Sequence, residues 1–290
     1  KNIIINNNKY LISQLKGELK NLNILNCQIT YKGSTSLIYS VEGKIKDCNI
    51  QTMKLNSSDS TSETLQGAFT SKLTGNMENC TATDIEIINN NTYSIHIGGL
   101  AGFITKSEIK NCFVTGLKVK IEEGNVYVGI GGVVGFESDV SKITNCIAEG
   151  SINADGDNIG GIAGRIKTNS NIENSISKVN ITGSANVFGG IVGIKEDTPS
   201  SVINNLSLGD LYSSKNEIQG KSIIHTGTDN INNNYYYEGQ KINGIRVGKK
   251  DYSSLSYNEL KDLNTYTQQI KLDDNYNYNK IKEGILPKLM

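Results

Sequence analysis

Tryptophan is absent from this 290-residue chain, and proline, histidine and arginine occur only twice each. Two histidines, His96 and His225, leave no H-E-x-x-H motif and no histidine-rich metal set. C-x-x-C is missing as well, so a zinc ribbon is excluded. Lysine plus arginine equals aspartate plus glutamate at 29 each. Without a basic excess there is little to neutralise phosphates, which argues against nucleic acid as a partner. No run of 18 apolar residues exists, so no transmembrane helix and no membrane insertion by this segment are expected. Ile3-Ile4-Ile5 is too short for a signal-peptide core, and the chain reads as a piece of something larger.

Catalytic signatures are missing too. There is no G-x-S-x-G elbow at a strand-to-helix turn and no P-loop. Asp273-Asp274-Asn275 opens like a calcium loop. Tyr278 stands where the loop needs glycine, however, and Gly284 where it needs glutamate. Asp155-Gly156-Asp157 is an acidic turn, and whether it binds calcium stays open. No Asp/Asp/Arg set recurs as it does on carbohydrate-cleaving solenoids. The chain itself is therefore expected to be non-enzymatic, with no cofactor of its own.

What the sequence has is a repeat, and a fixed period has to be read before anything else. Four clear copies carry a double glycine, a hydrophobic pair and a further glycine. These are Gly98, Gly99 and Gly102; Gly131, Gly132 and Gly135; Gly160, Gly161 and Gly164; Gly189, Gly190 and Gly193. Each is followed by an I-x-N phrase ending at Asn111-Cys112, Asn145-Cys146, Asn174-Ser175 or Asn205-Leu206. Earlier copies are degenerate through residue 75, although Asn79-Cys80 and Asp47-Cys48 are readable. With the residue after the asparagine as a ruler, Leu22, Cys48, Cys80, Cys112, Cys146, Ser175, Leu206 and Tyr235 are spaced by 26, 32, 32, 34, 29, 31 and 29 residues.

Segments such as Ile172-Glu173-Asn174-Ser175-Ile176 mix β-branched and polar residues in strand fashion. Three short strands and three turns in about thirty residues make one coil of a parallel β-solenoid. A propeller blade needs a longer period. The expected fold is therefore all-β, a solenoid of about seven to eight coils over residues 1–238. A small mixed cap over 239–290 follows, with a hairpin at 239–248 and a short helix near 256–268. Ser256 and Glu259 are spaced as a capping box.

Position in the repeat assigns roles. The double glycines are expected at corners, allowing positive φ and close backbone packing. Asn79, Asn111, Asn145, Asn174 and Asn205 are expected to stack as an amide ladder. Cys48, Cys80, Cys112 and Cys146 are expected to stack as free buried thiols. The polar stretches 56–64, 137–142, 167–171 and 195–201 vary in length and are the expected binding side.

Gly99-Leu100-Ala101-Gly102 and Gly161-Ile162-Ala163-Gly164, followed by I-x-N-C or I-x-N-S, resemble the GLUG motif. This motif is found in bacterial surface proteins and in the N-terminal, non-catalytic region of the zinc metallopeptidases that include immunoglobulin A1 protease. The closing Gly284-Ile285-Leu286-Pro287-Lys288-Leu289 resembles the end of that region. The resemblance implies a secreted, cell-surface parent, with its zinc in a downstream protease domain. It also implies a solenoid that engages a host glycoprotein such as immunoglobulin A1 or spaces the protease from the cell. An adhesin stalk and a carbohydrate-active solenoid are the alternatives.

Overall fold

The computed structural model describes residues 3–6, 10–58, 60, 62–121, 128–184, 187–196, 199–213, 221–226, 230–242, 252–272, 276–283 and 285–289. Among these, three parallel sheets of 11, 12 and 8 strands run the length of the array. The chain visits them in a fixed order, as in Ala101–Thr105, Glu108–Lys110 and Phe113–Ile121. We call the three sheets the glycine face, the short face and the long face. The result is a β-solenoid of about seven turns.

The strand-like segment that opens at Ile172 divides between two strands. Asn171–Glu173 lies on the short face and Ile176–Gly183 on the long face. Between them Asn174 adopts φ 52°, turning the chain in a single residue. Asparagine tolerates this left-handed conformation because its short side chain can bond locally. Conversely, the double-glycine phrase and the strand before it share one sheet. Thr64–Leu73 is continuous there, and the next coil splits it into Ile95–Gly98 and Ala101–Thr105.

Identical positions stack through every coil. On the short face Ile45, Met77, Ile109, Ile143, Ile172, Val202 and Ile231 are all buried, in consecutive register. They join Leu100, Val133, Ile162 and Ile191 from the glycine corners in one continuous core.

A second core lies outside the coils. One outward column of the long face runs Asn23, Asn49, Thr81, Phe113, Ile147, Ile176, Leu206 and Tyr235. It is polar for three coils and apolar from Phe113 onward. The C-terminal segment doubles back over the apolar part, packing Leu255, Leu260, Tyr266, Ile270, Tyr276 and Ile281 against it. The tail therefore covers a flank of the array. Tyr252–Leu255 also pairs with Asn234–Tyr237, carrying the long face past residue 238.

The capping box forms. The Ser256 backbone N–H and hydroxyl both donate to Glu259 Oε2 at 2.7 Å, and the Glu259 N–H returns to Ser256 Oγ at 3.3 Å. It starts a 3₁₀ turn at Glu259–Lys261, and the expected short helix follows, π-wound at Thr265–Gln269. The expected hairpin at 239–248 and the loop at 273–275 lie largely outside the described residues. No helix among the described residues is long and apolar enough to cross a membrane.

Candidate functional site

The double glycines do not sit at positive φ, contrary to expectation. They are set by space. A β-carbon on Gly132 would land on the carbonyl oxygen of Gly161 in the next coil, and one on Gly161 on that of Gly190. One on Gly131 would strike the Val134 carbonyl of its own coil. Gly102, Gly135, Gly164 and Gly193 are likewise hemmed in by neighbouring backbone.

Asn79 donates through Nδ2 to Asp47 Oδ1 at 3.0 Å, and Asn111 to Asn79 Oδ1 at 3.4 Å. The next rungs are Asn145 and Asn174, both left-handed. The ladder then continues at Asn204, not Asn205. Register pairs Ile172 with Val202 and Glu173 with Ile203, so Asn204 stacks on Asn174 and bonds its Oδ1 at 3.1 Å. Two consecutive asparagines made either alignment readable; the left-handed φ of 57° at Asn204 decides it.

The shift moves Asn205 and Asn234, rather than Leu206 and Tyr235, into the thiol column. The column then shows a shared function. Each side chain accepts the backbone N–H of the coil before it: Cys80 N–H to Cys112 Sγ at 3.4 Å, Cys146 N–H to Ser175 Oγ at 3.1 Å, Ser175 N–H to Asn205 Oδ1 at 2.9 Å and Asn205 N–H to Asn234 Oδ1 at 3.0 Å. Cysteine, serine and asparagine all fit because each accepts on one side and donates on the other. All five cysteines are free and buried, and burial raises the Cys27 thiol to about 11.

Glu137, read as the start of a polar corner, belongs to the strand Val134–Ser138 and is fully buried. It occupies a core column between Ile104 and Ile166. Residues 56–58 likewise end the strand Asn49–Ser58 rather than project, and Ser57 is buried. Asp155 Oδ1 accepts the Ser184 N–H at 2.7 Å, a turn contact. Among the described residues no three His, Cys, Asp or Glu side chains converge on a metal position.

The chemistry that does converge lies on the outside of the glycine face, and the sequence reading passed over it. The residue after each third glycine points outward: Phe103, Phe136, Arg165 and Ile194, with Lys72 one coil earlier. Their constant offset from the glycines was the available signal. The Phe103 and Phe136 rings meet edge to face at 5.3 Å between centroids. The Arg165 guanidinium lies 4.8 Å over Phe136, and Lys72 Nζ lies 6.0 Å from Phe103. Arg165 also ion-pairs with Glu196, whose other oxygen is 3.6 Å from Lys167 Nζ.

His96 completes the group. Its ring is buried and 5.1 Å from Phe136, in the space that Gly129 leaves free. Nε2 is 3.3 Å from Glu63 Oε1, and Nδ1 has no hydrogen-bond partner. The imidazole holds the Glu63 carboxyl below the usual carboxylate range. The stripe is half-buried, mixed in charge and bordered by both rows of corners that enter and leave the glycine face.

The GLUG motif model matches residues 93–120. No curated protein sequence matches significantly. Among solved structures, a Bacteroides ovatus protein named a "putative immunoglobulin A1 protease" shares 20% identity. The match has a TM-score of 0.55 and covers 94% of this chain and 75% of that one. A chain named IgA1 protease shares 16% identity at a TM-score of 0.56, over 86% of this chain and 20% of that one. This chain thus spans about a fifth of the longer structure, and at these identities the likeness shows a common solenoid fold.

Proposed function

We propose that this chain is a non-catalytic docking and positioning module of a secreted, cell-surface zinc metalloprotease. The parent acts on a host glycoprotein of the immunoglobulin A1 class, with its zinc in a separate downstream protease domain. Residues 1–238 form the binding array and 239–290 its cover. The observation that carries this reading is the stripe Lys72, Phe103, Phe136 and Arg165, outward on a rigid face between two rows of corners. Aromatic and arginine side chains of this kind dominate the energetics of protein interfaces. The similarity to proteins named immunoglobulin A1 protease supports the choice of partner.

The test is capture of the full chain on immobilised immunoglobulin A1. Phe136→Ala and Arg165→Gln should each weaken binding at least about tenfold, as loss of an interface anchor does. Failure of the unaltered chain to bind at any salt concentration sinks the docking role and leaves the spacer role.

A further inference from the structure

The long face is creased. Four successive strands, Asn23–Tyr31, Asn49–Ser58, Thr81–Asn90 and Phe113–Ile121, each carry a left-handed residue at one phase. These are Asn26 at φ 54°, Thr52 at 59°, Asp84 at 54° and Gly116 at 64°. Alternation breaks there: Leu25 and Asn26 both face outward before Cys27 turns in. Kink on kink gives a furrow across the coils. It stops at the Cys146 coil, where register slips between Val114 and Leu117 and the extra residue is lost. Gly116 closes the row, since a β-carbon there would lie 2.5 Å from the Asp84 carboxylate.

Asparagine, aspartate and glycine tolerate this conformation, but threonine does not. A β-branched residue such as Thr52 in the left-handed region forfeits stability and makes an outlier. Strain of this sort collects at ligand-holding positions. The furrow is a groove of about 310 Å³ over Cys27 and Met53, walled by Asn26, Gln28, Thr52, Lys54, Asp84 and Glu86. Ile4 closes one end. Lys54 Nζ and Glu86 Oε2 pair at 3.0 Å, which leaves the Asp84 carboxylate as the unbalanced charge.

Amides, a hydroxyl, an ammonium and carboxylates alternate along this wall. They form a row of interleaved donors and acceptors. Vicinal hydroxyls, which donate and accept in turn, match such a row. An anionic ligand would meet the surplus carboxylate. A peptide strand would find no open backbone edge along Asn49–Ser58 and Thr81–Asn90, which carry most of the wall and are paired on both sides. We propose that the crease is a binding site for a short neutral saccharide, held by Asn26, Gln28, Thr52 and Asp84. No aromatic ring lines the groove, so the expected dissociation constant is weak, ~1 mM. The site lies on a different face from the docking stripe and stands or falls without it.

Lactose, maltose, cellobiose and chitobiose, titrated to ~20 mM against the ¹⁵N-labelled full chain, should include at least one that saturates. The amide shifts should map to residues 26–28, 52–54 and 84–86. Thr52→Gly separates binding from folding: it relieves the left-handed strain and raises the melting temperature, yet removes a hydroxyl and weakens the sugar about fivefold. Asp84→Asn, which keeps a left-handed-tolerant residue, should weaken it similarly, and Phe136→Ala should leave it unchanged. No saturable shift with any of the four sugars overturns the site. So does a shift map centred elsewhere, or a preference for sialylated or sulfated disaccharides.

Discussion

The phenol of Tyr276 donates a hydrogen bond to the backbone carbonyl of Asn145, a residue 131 positions earlier and on the asparagine ladder. This bond pins the returning C-terminal segment to the middle of the array. Tyr276→Phe should cost about 1 kcal/mol, the ordinary net value of such a bond. Ile147→Asp, beneath the same segment, should do more, because it buries a charge against Tyr276 and its neighbours. Limited proteolysis within residues 252–289 reads the release. A tail equally protected in both variants would show that its docking does not depend on this column.

Glu137 is a second point of leverage. Burial holds its carboxyl well above its ordinary 4.5, with the Asn171 amide pulling weakly the other way. Neither oxygen has a hydrogen-bond partner of ordinary geometry. Above pH 4.5 the unfolded chain sheds this proton while the folded chain keeps it. Stability therefore falls as pH rises, by up to about 1.4 kcal/mol per pH unit until the folded group also ionises. Glu137→Gln should flatten that slope. Glu137→Ile, matching Ile104 and Ile166 in the column, should add about 1–3 kcal/mol at neutral pH. Denaturation midpoints across pH 5–8 (roughly the usual stability plateau) test both.

Val140 is 66% exposed at φ 58°, a conformation its branched side chain resists. Val140→Asn should remove about 1 kcal/mol of strain and lift the melting temperature by roughly 2–4 °C. An unchanged or lower melting temperature would mean the corner holds Val140 by contacts that outweigh the strain.

The thiol column predicts its own chemistry. Cys112 is fully enclosed, and burial pushes its thiol well above the usual range. Structural buried thiols are inert to alkylation, and all five cysteines are buried, so iodoacetamide at pH 8 should leave every one unmodified in the folded chain. All five should react after unfolding. A disulfide between non-adjacent cysteines such as Cys48 and Cys112 would contradict the stacking itself.

The coil and its period were legible because one residue type per phase is required: glycine where backbones touch, asparagine where a single residue turns the chain, and a branched aliphatic such as Ile109 or Ile143 inside. The capping box at Ser256 and Glu259 was legible for the same local reason. Three things were not. The glycines of residues 98–99 serve packing, which composition cannot distinguish from positive φ. Asn204 and Asn205 are chemically alike, and only register separates them. Glu137 looks like a loop residue because nothing local marks a buried carboxylate. The outward stripe of Phe103, Phe136 and Arg165 was present at a fixed offset. Its meaning depended on three coils being stacked, which is a tertiary fact.

The outer column of the long face, polar at Asn23, Asn49 and Thr81 and apolar from Phe113 to Leu206, acts as a counting device. The returning tail has a fixed length, so it can cover only a fixed number of rungs. Duplicating or deleting a coil between Phe113 and Leu206 would leave either bare apolar side chains or an overhanging tail. The same change before Thr81 would leave the tail and the column it covers in place. Repeat number is thus locked on one side of Phe113 and free on the other, so lengthening this array is tolerated at one end only.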